Sequence, residues 1–231
     1  MHLFVLIPSI LIFLYSLYRL VKDDYVFIRK GMALEQTFDI AFETLWISLF
    51  VSRLSYLVMH VGSIKQLLLE FFSIYQGGFS LPGALLGGII ALYMISRSKR
   101  IPFGRLSDFF SLSLLYAMPL GFLSLSFFYH RTEMLIFFLL TIVYFLIGLF
   151  FAQFLYPKLL SRTIKEGTVA IYFILLFSVL TAGSIVGNSL HDLGKLISVD
   201  IAILILLFVL GIILLLKQGR LFASPKRSLV K

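Results

Sequence analysis

Runs of about 20 apolar residues recur along this chain, at 3 to 21, 38 to 61, 79 to 96, 106 to 128, 133 to 156, 168 to 190 and 199 to 216. A helix rises 1.5 Å per residue, so a run of that length crosses a hydrocarbon layer of about 30 Å. No other feature restricts the fold as strongly, because inside lipid a backbone must satisfy its own N–H and C=O groups, in helices or in a closed barrel. The runs therefore predict an all-α integral membrane bundle of seven spans, a single transmembrane domain over residues 1 to 231. Composition agrees: 60% of the 231 residues are apolar and only 13% are charged, where soluble domains carry about 25% charged residues. The first run is too long for a cleaved leader and no basic residue precedes it, so the first helix is expected to stay.

The net charge of +9 would suggest nucleic acid in a soluble chain, but here placement decides. Sixteen Lys and Arg fall around the first, third and fifth connections and in the tail 217 to 231, Arg105 among them. Three fall in the other connections, at Lys65, Arg131 and Lys195. The bias predicts the N-terminus outside, the C-terminus inside, and a cytoplasmic rim of cations facing lipid headgroups, with no nucleic-acid partner. The chain has no cysteine, which removes disulfides, thiolate nucleophiles and Cys-type metal sites.

One stretch breaks the helical pattern. GGFSLPGALLGG, residues 77 to 88, places five glycines and a proline at the mouth of the third span. It follows SIKQLLLEFFSIYQ, residues 63 to 76, which is too short to span and suits a helix at the outer interface. Gly77 and Gly78 allow backbone denied to other residues, and non-helical backbone at membrane depth needs burial in protein or a wet cavity. A re-entrant loop before the third span fits. Gly83 and Gly87, four apart, would also let two helices approach closely, with Gly88 on an adjacent line. Pro119 and Gly121 predict a kink in the fourth span.

Charges inside spans are costly, about 2.5–3.5 kcal/mol near a helix centre, so each invites a role. Asp39 lies near the cytoplasmic end of the second span, where water reaches it, and Glu43 lies deeper. Arg53 stands about 15 Å from Glu43 along the axis, too far for an ion pair, and sits past the helix middle. There its guanidinium could grip a lipid phosphate, or be held by backbone carbonyls or an acid of another helix. Asp108, behind Ser107, is read as capping the first turn of its own helix. His60, His130 and His191, like His2, fall at outer helix ends, a usual level for interfacial anchors. With Glu133 or Asp192 they are also weak candidates for proton transfer. Their spacing matches no metal motif, and neither a metal nor a cofactor is expected.

Four blocks in this order resemble the prolipoprotein diacylglyceryl transferases, bacterial seven-span enzymes of the inner membrane with the same orientation. SRLSYLV, with Arg53 and Tyr56, is similar to the family's A-R-L-x-Y-V. GGFSLPGALLGG, with Gly77, Gly78, Ser80 and Gly83, resembles G-G-M-S-F-H-G-G-L-L-G. RLSDFFSLSLLYAMPLG has the family's Asp and Gly at Asp108 and Gly121, and YPKLLSRTIKEG keeps Pro157, Glu166 and Gly167 of its last block. The resemblance implies transfer of a diacylglyceryl group from phosphatidylglycerol to the lipobox cysteine of a prolipoprotein. Phosphatidylglycerol and a prolipoprotein signal peptide would be the partners, with Arg53 on the lipid phosphate and the glycine loop cradling the lipid.

The departures bear on the chemistry. The family's loop His falls on Pro82, and its G-R-x-G-N-F-x-N-x-E reads GFLSLSFFYH, so Phe122 stands at the Arg and Leu125 at the first Asn. In the last block the His, Gln, Tyr and Glu positions are Tyr156, Leu159, Ser161 and Arg162. Activation of a thiol needs a base, and departure of glycerol phosphate needs cationic or hydrogen-bonding groups. Three readings stay open: a divergent transferase, a non-catalytic phospholipid- or signal-peptide-binding membrane protein, and a small transporter.

Overall fold

The computed structural model describes residues 3–22, 24–29, 34–60, 78–127, 131–188 and 199–218. Among them the chain is helical, in the order α1 (Leu3–Lys22), α2 (Tyr25–Arg29), α3 (Leu34–His60), α4 (Leu81–Ser98), α5 (Phe103–Ser126) and α6 (Arg131–Phe150). A π-helical turn, Phe151–Leu155, carries α6 into α7 (Tyr156–Leu160), and α8 (Thr168–Asn188) and α9 (Val199–Gln218) follow. The stretches within α3, α4, α5, α6 to α7, α8 and α9 are each long and apolar enough to cross a membrane. With α1, 20 residues long, every expected span has its helix, and the protein is an all-α integral membrane bundle. The stretch 63 to 76, Gly77, His130, His191 and nearly all of the basic tail lie outside the described residues.

The chain divides into two compact units. The first comprises Met1–Met32, Gly104–Phe173 and Gly211–Lys231. Its core gathers Leu17, Leu20, Phe27, Leu106, Phe109, Leu112, Tyr144 and Phe173, all buried. The unit also holds a buried ion pair. Arg105 donates from Nε to Asp24 Oδ2 at 3.0 Å, and from Nη1 to the Leu159 carbonyl at 2.8 Å. Its guanidinium lies 5.2 Å from the Phe109 ring centroid. The other carboxylate oxygen of Asp24 accepts the Phe27 N–H at 3.3 Å, capping the short α2. Two charges out of water need this density of partners, since attraction alone does not offset desolvation. Arg105 is therefore no part of a headgroup-facing rim, contrary to its place in the charge pattern, because α2 brings an acid to it.

The expected role of Asp108 is corrected as well. The helix starts at Phe103, which puts Asp108 beyond the first turn, and the carboxylate caps a different helix. It accepts Gly167 N–H at 2.7 Å and Ala170 N–H at 2.9 Å, donors at the start of α8 that have no partner within their own helix. Gly104 makes room for this turn: a Cβ there would lie 2.9 Å from the Glu166 carbonyl carbon. Gly167 itself has φ +89°, a conformation that favours glycine. Gly121 faces α1, where a Cβ would meet Ser9 Oγ at 3.3 Å, and Ser9 Oγ donates to the Ala117 carbonyl at 2.9 Å. The helix is continuous through Pro119.

The second unit comprises Ala33–Phe103 and Ile174–Leu210. Its α3 and α4 pack closely through small residues. A Cβ on Gly87 would stand 2.7 Å from Val51 Cβ, and one on Gly83 would stand 2.6 Å from Ser55 Oγ. At Gly88 the nearest neighbour would be 3.9 Å away, so Gly83 and Gly87 make the approach. Leu85, Leu86 and Ile89 of α4 pack on Ile174, Ile203 and Leu207, which fixes the start of α9 against α4. Near the other end of α3, Glu43 pairs with Lys99 at 3.2 Å on an exposed surface.

Replacing Arg105 with Met should cost about 3–5 kcal/mol, because it leaves the Asp24 carboxylate buried without its cation. The readout is the thermal unfolding midpoint in detergent, and the double variant Asp24→Asn/Arg105→Met should recover part of the loss. An unchanged midpoint for Arg105→Met would show that the pair carries no stability.

Candidate functional site

The polar residues of α3 and the chain entering α4 meet in the second unit. Ser48, Ser52 and Ser55 recur at spacings of four and three, so they share the face of α3 that α4 packs against. Ser48 Oγ donates to the Ala84 carbonyl at 2.6 Å, and Ser52 Oγ to the Ser80 carbonyl at 2.7 Å. In return the Ser52 carbonyl accepts the Ser80 N–H at 3.3 Å. Arg53, next on the helix, donates from Nη1 to the Gly78 carbonyl at 2.8 Å. Residues 78 to 80 therefore run unwound beside α3, seven to eight residues before that helix ends at His60. That is about 10–12 Å along its axis. These serines and this arginine supply the hydrogen-bond partners that this stretch, outside any helix, does not supply itself.

Arg53 is 5% exposed. Its guanidinium carbon lies 5.8 Å from the Tyr56 ring centroid and 5.6 Å from that of Phe79, distances at which an aromatic face attracts a cation. The backbone carbonyl was one of the holders open to Arg53 from the sequence, and Gly78 provides it. Gly78 has φ +85°, and a Cβ there would fall 2.1 Å from Tyr56 Cε1. Only a glycine lets the Tyr56 ring close over the turn.

Ser80 ends the unwound stretch and starts α4. Its extended backbone and its hydroxyl, which accepts Gly83 N–H at 2.9 Å, form the N-cap. Pro82 then sits buried in the first helical turn, where its missing N–H costs nothing. The same hydroxyl donates to Asp200 Oδ1 at 2.5 Å. Asp200 escaped the sequence reading; the available signal was a lone acid at the start of the most apolar run.

The structure thus brings together Arg53, Tyr56, Gly78, Ser80 and Gly83, five of the residues singled out in the sequence. Asp108 and Gly121 belong to the first unit and serve helix capping and helix approach. His60 is the last residue of α3, and its side chain is not among those described. Among the described residues no cluster of three or more His, Asp or Glu forms. Phe122 is buried and stacks on Tyr144 at 5.3 Å and Phe137 at 6.2 Å, so an aromatic layer occupies its surroundings.

Compared with known proteins, the family model described as prolipoprotein diacylglyceryl transferase matches residues 3–217. Three similar curated proteins carry the name phosphatidylglycerol--prolipoprotein diacylglyceryl transferase. The one from Halalkalibacterium halodurans is 24% identical over 94 residues, 41% of this chain and 32% of its own length. That from Listeria welshimeri is 30% identical over 93 residues, 40% of this chain and 34% of its own. That from Clostridium kluyveri is 26% identical over 92 residues, 40% and 36% respectively. The matched segment thus spans about a third of the length of these relatives. No solved structure matches.

Gly78→Ala should destabilise the protein by about 1–2 kcal/mol from left-handed backbone strain alone, with displacement of Tyr56 added. Thermal unfolding of Gly78→Ala against Gly78→Ala/Tyr56→Ala separates the two, the double variant regaining the steric part only. A Gly78→Ala protein as stable as the parent would contradict the turn described.

Proposed function

The chain belongs to the prolipoprotein diacylglyceryl transferase family, and from that membership we propose that it holds an anionic phospholipid, phosphatidylglycerol foremost, with the phosphate beside Arg53. The observation that carries this reading is the site around the guanidinium. Arg53 is buried, close to two aromatic rings and tied to the unwound backbone at Gly78. A cation so placed attracts an anion strongly, since the low dielectric screens little. Phe79, beside it, is exposed, as are Leu54, Val58 and Leu81 nearby in sequence, and these suit acyl chains approaching from the bilayer. With the N-terminus outside, the headgroup would belong to the outer leaflet of the inner membrane. An apolar signal peptide of a prolipoprotein is the second partner that family membership brings.

The same reading leaves out the transfer reaction. A base is needed for the incoming thiol and a cation for the departing glycerol phosphate. Pro82, at the position of the family's loop histidine, is buried in a helical turn and carries no proton. Phe122, at the position of its arginine, is fixed in an aromatic stack. The reading is therefore of a lipid-holding member of the family in which Pro82 and Phe122 do not supply the transfer chemistry.

The test uses the full chain in nanodiscs. Arg53→Gln should lower retention of phosphatidylglycerol over phosphatidylcholine by about tenfold, read by native mass spectrometry, the scale of one lost charge-assisted contact. Equal retention would end the lipid reading. Incubation with a lipobox peptide and labelled phosphatidylglycerol should yield no diacylglyceryl peptide, and product would restore the transferase.

A further inference from the structure

Asp200 has no part in the reading so far, and its position asks for one. It is the second residue of α9, where unpaired N–H groups and the helix dipole favour a carboxylate. That accounts for an acid at this helix start but not for its bond to Ser80, 120 residues earlier. The packing of Ile203 and Leu207 against Leu85, Leu86 and Ile89 fixes α9 beside α4 and brings the carboxylate to the unwound stretch.

Gly78, Phe79 and Ser80 consequently have a cation at one end and an acid at the other. Arg53 bonds the Gly78 carbonyl and Asp200 bonds the Ser80 hydroxyl. The two contacts fall two residues apart along the chain, so the α-carbons that carry them are at most about 7 Å apart. That is the scale of a phosphate joined to a short hydroxyalkyl or aminoalkyl group. Arg53 and Ser80 are buried, whereas Gly78 and Asp200 are half-buried and Phe79 is exposed, so the stretch is open on one side.

We propose that Asp200 is a specificity-determining residue of this site, selecting phosphodiester lipids whose headgroup ends in a hydroxyl or ammonium donor and rejecting phosphomonoesters. The inference rests on the lipid reading of Arg53. The donor at the headgroup's far end meets the carboxylate while its phosphate meets Arg53. Phosphatidic acid, with a second negative charge and no such donor, meets repulsion from the same acid. Phosphatidylcholine keeps the positive charge but has no N–H to give.

The experiment compares short-chain phosphatidylglycerol, phosphatidylethanolamine, phosphatidylcholine and phosphatidic acid binding to the full chain in detergent at fixed ionic strength. The parent protein should bind phosphatidylglycerol or phosphatidylethanolamine at least tenfold more tightly than the other two, and which of the two leads distinguishes a hydroxyl from an ammonium donor. Asp200→Asn keeps an acceptor for Ser80 and removes only the charge. It should raise phosphatidic acid affinity relative to phosphatidylglycerol by about tenfold, a scale set by two like charges several ångströms apart at a protein surface. A parent protein without this preference, or an Asp200→Asn ratio equal to the parent's, overturns the role of Asp200. If, in addition, Arg53→Gln changes nothing, the lipid reading falls with it; if Arg53→Gln weakens all four lipids, that reading stands and only the selectivity is lost.

Discussion

The requirement that organises the second unit is the satisfaction of backbone polar groups where water is absent. A helix satisfies its own, but the three residues before α4 do not, and an open N–H or C=O in hydrocarbon costs several kcal/mol by order of magnitude. Ser52 and Arg53 meet that need from the neighbouring helix, and Ser80 completes it as a cap. Arg53 is thereby a structural residue of this turn. Its bond to Gly78 goes with a guanidinium beside the Tyr56 and Phe79 rings.

Buried charge is handled differently in the first unit. Arg105 and Asp24 neutralise each other, with the Leu159 carbonyl and the Phe27 N–H absorbing further bonding capacity. Asp108 is held by the N–H groups of Gly167 and Ala170 and needs no cation in contact. Both arrangements stitch sequence-distant segments together: α2 to α5, and α5 to the turn before α8. Conformational specificity is what such networks add, since hydrophobic replacement of a buried pair is often no less stable.

Glycine does two jobs in the quoted stretch. At Gly83 and Gly87 the absence of a side chain lets helices approach, which the four-residue spacing announces. At Gly78 it permits a positive φ under an aromatic ring, which no spacing announces, because the ring comes from Tyr56 on another helix. The mixture explains why a stretch dense in helix-breaking residues can open a membrane helix: among the described residues the non-helical part is 78 to 80, and Gly83 and Gly87 after it serve packing.

Each apolar run identified in the sequence became a helix, because in lipid length and apolarity leave the backbone no other solution. Arg53, Tyr56, Gly78, Ser80 and Gly83 were also legible, through their order and through the cost of an intramembrane charge. The π-helical turn at Phe151–Leu155 had no such signal, since its residues are as apolar as the helix around it. The partners of Arg105, Asp108 and Ser80 were hidden for a common reason. Asp24, Gly167 and Asp200 lie 59 or more residues from the groups they meet, and local pattern carries no record of which distant group will arrive. Asp108 looked like a cap for its own helix and caps another; Arg105 looked like one more cation of the rim and is buried against an acid. What the chain by itself determined is therefore the solvent it folds in and the elements it forms there, a matter of local composition. Which partner each charge meets was decided only when packing set the distances, since electrostatic pairing depends on separation in space and not along the chain.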